Sequence, residues 1–280
     1  MRTNQSAGRQ AIPFGRLLRD WRTARRLSQL ALAVEADVSA RHLSFLETGR
    51  AGASAKMVMR LATVLDVPLR ERNLLLQAAG HAPAYRESDL NSPSMADITQ
   101  ALSLILRAHE PFSAWVLDAR WRIVMANQPF AEALTLQWET PVEAHALVAD
   151  PRPNLLALLA DRGRRSIRNW NTVLGIALAR AYGDALWYRD EAFELEVKAV
   201  AAEVGIGADA LVSGAWMADS PVVPIETEQD GIVLRFFNTI ATLGAPQDVT
   251  LQELRIEALH PADADTACVV RELFPPRAIP

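Results

Sequence analysis

The sequence predicts an α+β protein in two parts: an N-terminal all-α domain of five helices, then a domain with a five-stranded antiparallel sheet and a helical insert. Three observations predict it. Apolar residues recur at helical spacing from Phe14 to Ala79. A polar, proline-containing stretch, HAPAYRESDLNSPS (81–94), then breaks the pattern. Beyond it, short strand-like runs lie on either side of a long, apolar, helical middle. The corresponding ranges are 10–82 for the first domain, 83–94 for a linker and 95–272 for the second domain.

Phe14, Leu17, Leu18 and Trp21 follow the i, i+3, i+4, i+7 spacing of a first helix. Ser28 is a good cap for a second, Gln29 to Glu35, because its hydroxyl accepts an orphan backbone N–H. Ala36-Asp37-Val38 is the turn after it, and Asp37 tolerates a left-handed backbone. Ser39 caps a third helix, with Val38 and Leu43 at the spacing of a hydrophobic staple. Leu43 and Leu46 point inward there, Ala40, Arg41 and Ser44 lie on the other face, and Gly49 stops the helix. Ser54 caps a fourth, carrying Met57, Val58, Leu61 and Leu65. Pro68 suits the first turn of a fifth, which runs through Leu74 to Ala79 and ends at Gly80.

The second part opens with a helix from about Met95 to His109, with Ile98, Ala101, Leu102, Ile105 and Leu106 on one face. Ser113–Leu117 and Trp121–Met125 read as strands joined by the turn Asp118-Ala119-Arg120. Asn127 caps a helix containing Phe130, Ala131 and Leu134. Residues 151–218 are helical and apolar. Strands return at Val222–Thr227, Ile232–Ala241 and Val249–Leu259, with a hairpin turn at Glu228–Gly231. Six of the seven tryptophans lie in this part: Trp115, Trp121, Trp138, Trp170, Trp187 and Trp216.

No segment approaches the roughly 18 continuous apolar residues that span a membrane, and the N-terminus lacks an apolar signal core. Cys268 is the only cysteine, which excludes disulfide frameworks and cysteine-rich zinc sites. We therefore expect a cytoplasmic protein with no membrane partner. The net charge of −4 hides a split: residues 1–86 hold 14 Arg/Lys against 6 Asp/Glu, and the remainder 15 against 27. A basic first domain beside an acidic second suits a polyanion partner for the first alone. Catalytic signatures are absent, with no Gly-rich phosphate loop, HExxH or GxSxG. His260, Asp263 and Asp265 in HPADADT read as an exposed loop, and Cys268 with His260 has no recognised nucleophile spacing. The expectation is a protein that is not an enzyme, with no catalytic residue, metal or cofactor.

Residues 28–50, SQLALAVEADVSARHLSFLETGR, resemble the helix-turn-helix of lambda repressor/Cro-type (XRE) regulators. The resemblance rests on Ser28-Gln29, Leu32-Ala33, Val38-Ser39, Leu43, Leu46-Glu47 and Gly49; Asp37 stands where the family usually has Gly. It implies a double-stranded DNA partner, with the third helix in the major groove. Ala40, Arg41, Ser44 and Phe45 would then meet base edges, Arg41 donating to guanine O6 and N7. Gln29, Ser39, His42 and Arg50 would meet phosphates, while Glu47 bonds locally. Arg16, Arg19, Arg22, Arg25 and Arg26 give the first helix a basic face. A homodimer on two half-sites is expected of such a head.

Strand, tight turn, strand, Asn and helix resemble the opening of a PAS-type sensor, and two strands, an insert and three strands match its strand count. With the head, the chain is similar to MmyB-like regulators, through HEPFSAWVLDARWRIVMANQPF (109–130), NLLALLADRGRRSIRNW (154–170) and DGIVLRFFNTIATLG (230–244). That resemblance implies a small, largely apolar, fatty-acid-like ligand in the PAS-like domain. Asn127, Asn154, Arg168, Asn169 and Trp170 are the candidate ligand-binding residues. Relatives are expected to carry a basic residue after Asn154-Leu155-Leu156, and this chain has Ala157, so a carboxylate-binding role there is not carried over. Met95–His109, following the linker, is the expected coupling element. The alternatives are a second domain that only dimerises or holds a protein partner, and an enzymatic domain fused to the head.

Overall fold

The computed structural model describes residues 12–138, 142, 147, 151–213, 222–229 and 231–275. Five helices come first: α1 (Phe14–Ala24), α2 (Gln29–Glu35), α3 (Ala40–Glu47), α4 (Ala55–Val64) and α5 (Leu69–Ala78). After a 3₁₀ turn at Pro93–Met95 follow α6 (Ala96–Ala108), β1 (Ala114–Leu117), β2 (Ile123–Ala126) and α7 (Gln128–Trp138). The insert holds α8 (Leu155–Asp161), α9 (Gly163–Ser166), α10 (Trp170–Trp187), α11 (Glu191–Glu203) and α12 (Ala208–Ser213). The chain ends with β3 (Ile225–Gln229), β4 (Ile232–Ala241), α13 (Val249–Glu253), β5 (Arg255–Pro261) and α14 (Ala264–Leu273). The predicted class, an all-helical head and a body with a five-stranded antiparallel sheet and helical insert, is the observed one.

The chain divides into two compact units. The first is the chain up to Glu87 plus a short return, Pro246–Gln252. Three of its first five helices start by one repeated device, and all five stop by another. Ser28, Ser39 and Ser54 each accept the N–H three residues on, from Ala31, His42 and Met57. Every helix is followed by a left-handed residue: Arg26, Asp37, Gly49, Asp66 and Gly80, with φ between 47° and 82°. The next N–H folds back onto the last turn, as in Val38 to Ala33 O at 2.9 Å and Arg50 to Phe45 O at 2.8 Å. Leu18, Trp21, Leu32, Leu43, Leu46, Val58, Leu61 and Leu65 fill the core this leaves. Gly15 sits where α1 crosses α3; a Cβ there would lie 2.5 Å from the carbonyl oxygens of both Leu46 and Glu47.

Pro68 precedes α5 as its N-cap, where it has no side-chain group to offer. Gln252 fills the role from far along the chain: its Oε1 accepts the Leu69 N–H at 2.6 Å. Val249 N–H donates to Arg86 O at 2.8 Å, and Val249 is buried. The predicted strand Val249–Leu259 is thus corrected to a helical turn followed by β5. Val249 and Thr250 read as β-branched strand residues, but the Asp248 carboxylate accepts the Thr250 N–H at 2.9 Å and starts a helix instead.

The second unit comprises Ser88–Ala245 and the chain from Glu253. Its sheet order is β2-β1-β5-β4-β3, antiparallel throughout, so the first and last strands meet in the middle. The predicted strand Trp121–Met125 begins only at Ile123, because Trp121 takes a left-handed backbone, φ 62°. The Trp121 N–H reaches back to Asp118 O, and its carbonyl accepts Leu155 N–H at 2.9 Å, which holds this costly conformation. Gly231, φ 80°, turns the β3–β4 hairpin as expected. α10 is apolar on much of its surface because it packs on several elements at once, and it buries Leu174, Leu178, Ala181 and Ala185 against Phe193 and Val197 of α11. The predicted helical stretch 214–218, with Trp216, lies outside the described residues.

Candidate functional site

Two places carry candidate residues, one in each unit. In the first unit, α2, the Asp37 turn and α3 form the expected helix-turn-helix. Leu43 and Leu46 anchor α3 in the core. That leaves Arg41 exposed and Ala40, His42, Ser44 and Phe45 partly so. The Arg41 guanidinium lies over the Phe45 ring, 5.4 Å from its centroid, which pre-orders a long side chain at the N-terminal end of α3. Arg50 is exposed just past the helix. The Ser39 hydroxyl is engaged as the cap, which brings its position, though not a free acceptor, to this end of the helix.

Glu47 braces the motif. Its side chain is 2% exposed and takes both prongs of Arg22, at 2.6 and 2.9 Å, and the Gln29 amide at 2.7 Å. Arg22 also donates to Leu27 O at 2.8 Å. Burial pushes the Glu47 carboxyl up, but the hydrogen bonds from Arg22 and Gln29, with the charges of Arg22 and Arg19, outweigh it and hold the group below its ordinary value. The local role expected of Glu47 is what these bonds describe. Gln29 is different: its amide N–H₂, read as reaching a phosphate, is turned inward to Glu47. The basic face of α1 divides likewise. Arg22 serves Glu47 and Arg25 donates to Leu65 O and Asp66 O, while Arg16, Arg19 and Arg26 are exposed.

In the second unit a cavity of about 200 Å³ opens between the sheet and the helical insert. Trp115, Phe130 and Leu134 form one wall, Leu155, Leu158 and Ala177 another. Trp115 and Phe130 pack with ring centroids 4.7 Å apart. The polar residues of the lining include Arg180, Asn238 and Glu257. Glu257 is 2% exposed; Arg180 Nη2 donates to its Oε1 and Asn238 Nδ2 to its Oε2, each at 3.0 Å. One step along, α10 and β5 are tied a second time, by Asp184 and Arg255. Trp121 sits within this lattice, donating its indole N–H to Asp184 at 2.9 Å, with the Arg180 and Arg255 guanidiniums 5.1 and 4.9 Å from its ring centroid.

None of the five residues predicted to meet a ligand lines this cavity, and each has a backbone or surface duty instead. Asn127 is 4% exposed: its amide donates to Leu106 O and Phe112 O, and its oxygen accepts from Ala114 and Phe130 N–H. Asn154 caps α8 and donates to Arg120 O. Asn169 clamps the start of β3, through Pro224 O and Glu226 N–H. Arg168 pairs with Glu228 at 2.8 Å on the surface, and the Trp170 indole donates to Leu159 O. Asparagines at element ends satisfy backbone groups, and that chemistry won here. Arg180 and Glu257 were missed by sequence reading: each shares its face with another charge, Asp184 one turn on in α10 and Arg255 two residues back in β5, so neither stands out as a lone charge. The HPADADT segment, read as an exposed loop, is the end of β5 and the start of α14, capped by Asp263 on Thr266 N–H at 2.7 Å. No group of three or more potential metal ligands occurs among the described residues.

Among the described residues no helix is long and apolar enough to cross a membrane. Residues 98–273 match the family described as MmyB-like transcription regulator ligand binding domain, and residues 13–75 match a helix-turn-helix domain family. The chain is also similar to a Bacillus subtilis (strain 168) protein described as an uncharacterized HTH-type transcriptional regulator, RghRB. The two are 40% identical over 76 residues, 27% of this chain and 52% of the relative, so this chain spans about half the length of that protein.

Proposed function

This chain belongs to the family of MmyB-like transcription regulators with a ligand-binding domain, carries a helix-turn-helix domain, and we propose that it is a sequence-specific DNA-binding regulator governed by a small, largely apolar ligand. The observation that carries the ligand half is the apolar cavity between sheet and insert. A fatty-acid-like molecule, one apolar chain with one polar head, suits it; by volume, on the order of ten non-hydrogen atoms fit. The DNA half rests on α3, with Ala40, Arg41, Ser44 and Phe45 toward base edges and His42 and Arg50, with the Ser39 end of the helix and the α2 N-terminus at Gln29, toward phosphates. The protein acts as a homodimer on paired half-sites, in the cytoplasm, without catalysis. A ligand alters DNA affinity only by binding one arrangement of the protein more tightly than another, and α6 is the element we assign to that coupling.

Native mass spectrometry with organic extraction identifies what co-purifies, and operator affinity is then measured with and without it. Unchanged operator affinity at saturating ligand refutes ligand control. On the DNA side, Arg41→Ala is expected to cost about 1–3 kcal/mol and relax discrimination at one base pair. Equal loss on every sequence would move Arg41 to a phosphate.

A further inference from the structure

The apolar cavity has a neighbour. A second cavity of about 70 Å³ adjoins it, and the two share Ser113, Ala133, Thr227 and Leu259. Three of those four side chains are small, so little bulk stands between the cavities. The strand register puts both on one face of the sheet. Directly paired residues share a face, and so do residues two apart along a strand. Trp115 pairs with Glu257, Asn238 with Leu259, Phe236 with Pro261, and Thr227 with Leu234. The first cavity uses Trp115, Asn238 and Glu257 of that face, and the second uses Leu234 and Phe236. From Glu257 to Pro261 the track follows β5 for roughly 13 Å.

The two ends of this track differ in chemistry. Glu257, with Arg180 bonded to it at 3.0 Å, marks the polar end. The other end is mostly apolar, built from Leu136 of α7, Leu234 and Phe236 of β4, and Leu273 and Phe274 at the close of α14. Leu136 and Leu273 are 43% and 37% exposed, so they present apolar surface at that cavity. Water held there would need two to four polar partners, which such walls supply poorly. A hydrocarbon chain needs none and gains by leaving water. At the same volume per atom as the first cavity, the second takes on the order of three or four more non-hydrogen atoms.

We propose that the two cavities hold one ligand chain, its tail passing Ser113, Ala133, Thr227 and Leu259 into the second cavity, and that Ala133 sets the length the protein accepts. The proposal rests on the apolar-ligand reading above. Its test is calorimetric titration of the full chain, freed of co-purifying lipid on a hydrophobic resin, with octanoate, dodecanoate and tetradecanoate below their micelle concentrations. Octanoate, with about ten non-hydrogen atoms, fills the first cavity, and dodecanoate reaches the second. Each methylene buried raises affinity up to roughly fourfold, so dodecanoate is expected to bind about tenfold or more tightly than octanoate. Tetradecanoate should add less than about threefold to that. Ala133→Phe narrows the passage, and Leu136→Trp fills the second cavity from a residue that does not line the first. In either variant the advantage of dodecanoate over octanoate should collapse. A smaller than tenfold advantage on the unmodified chain overturns the two-cavity assignment alone, as does an advantage that survives in a folded variant. Failure of all three probes to bind overturns the apolar-ligand reading with it. The length series on the unmodified chain is decisive even where a variant fails to fold.

Discussion

Replacing Glu47 by Gln keeps the shape of the brace and removes its charge. Arg22 then faces a single carbonyl oxygen where it held two carboxylate oxygens at 2.6 and 2.9 Å. With Glu47 2% exposed and Arg22 13% exposed, water cannot fully replace the lost partner. Breaking a buried pair costs about 3–5 kcal/mol; the remaining carbonyl and the slight exposure of Arg22 bring this to roughly 2–4 kcal/mol. For a unit of this size that is a fall in melting temperature of roughly 10–20 °C. Thermal unfolding of the full chain, followed by circular dichroism and calorimetry, measures it. The pH dependence carries a sign. Because the folded Glu47 carboxyl titrates below its ordinary value, its contribution is complete above that value and is lost as pH falls through the folded one. The gap between parent and Glu47→Gln should therefore narrow under acid. A shift under about 3 °C at neutral pH would refute the brace. Lost operator binding with an unchanged melting temperature would instead make Glu47 a DNA contact.

Gly15→Ala is expected to destabilise the head by about 1–3 kcal/mol, since its Cβ would meet two backbone carbonyl oxygens and force α1 from α3; a denaturant midpoint equal to the parent's counts against that crossing. The His260 imidazole, lowered in pKa first by burial and then by the neighbouring His109, stacks on Phe237 and meets Thr239 Oγ1 at 2.9 Å. Its native state disfavours the charged ring, so its contribution is present above about pH 6.5 and lost as pH falls through the lower folded value. His260→Asn should flatten the decline in stability of the second unit between about pH 7 and 5; parallel decline in both proteins would show that another group titrates there.

Local chemistry was readable because each signal lies within a few residues. Three serines three residues from an orphan N–H, and an aspartate in a left-handed turn, announce themselves in the sequence, and all of them recur in the structure. The strand pairs were readable as short apolar runs joined by tight turns, at Asp118-Ala119-Arg120 and at Gly231. The sheet order was not, because β1 meets β5 across more than a hundred residues. The cavity's polar corner is hidden for the same reason: Arg180 and Glu257 are 77 positions apart and Glu257 and Asn238 are 19. Asn127, Asn154 and Asn169 drew attention as polar residues in an apolar context, yet their amides are spent on nearby backbone. The brace was half visible. Glu47 read as a local bonder, but its grip on Arg22 and Gln29 depends on how three helices cross.

The return of Pro246–Gln252 to the first unit bears on how the protein is made. The fifth helix receives its cap from Gln252, and 158 residues, Ser88–Ala245, lie between the two parts of that unit. At a synthesis rate of about 5–20 residues per second, the ribosome delivers the closing segment roughly 8–32 s after the helices it completes. A nascent head thus spends many seconds with all five helices and the whole of its apolar core, but with the first N–H of α5 uncapped. Its last step of maturation waits on the strand-to-strand connection of the other unit.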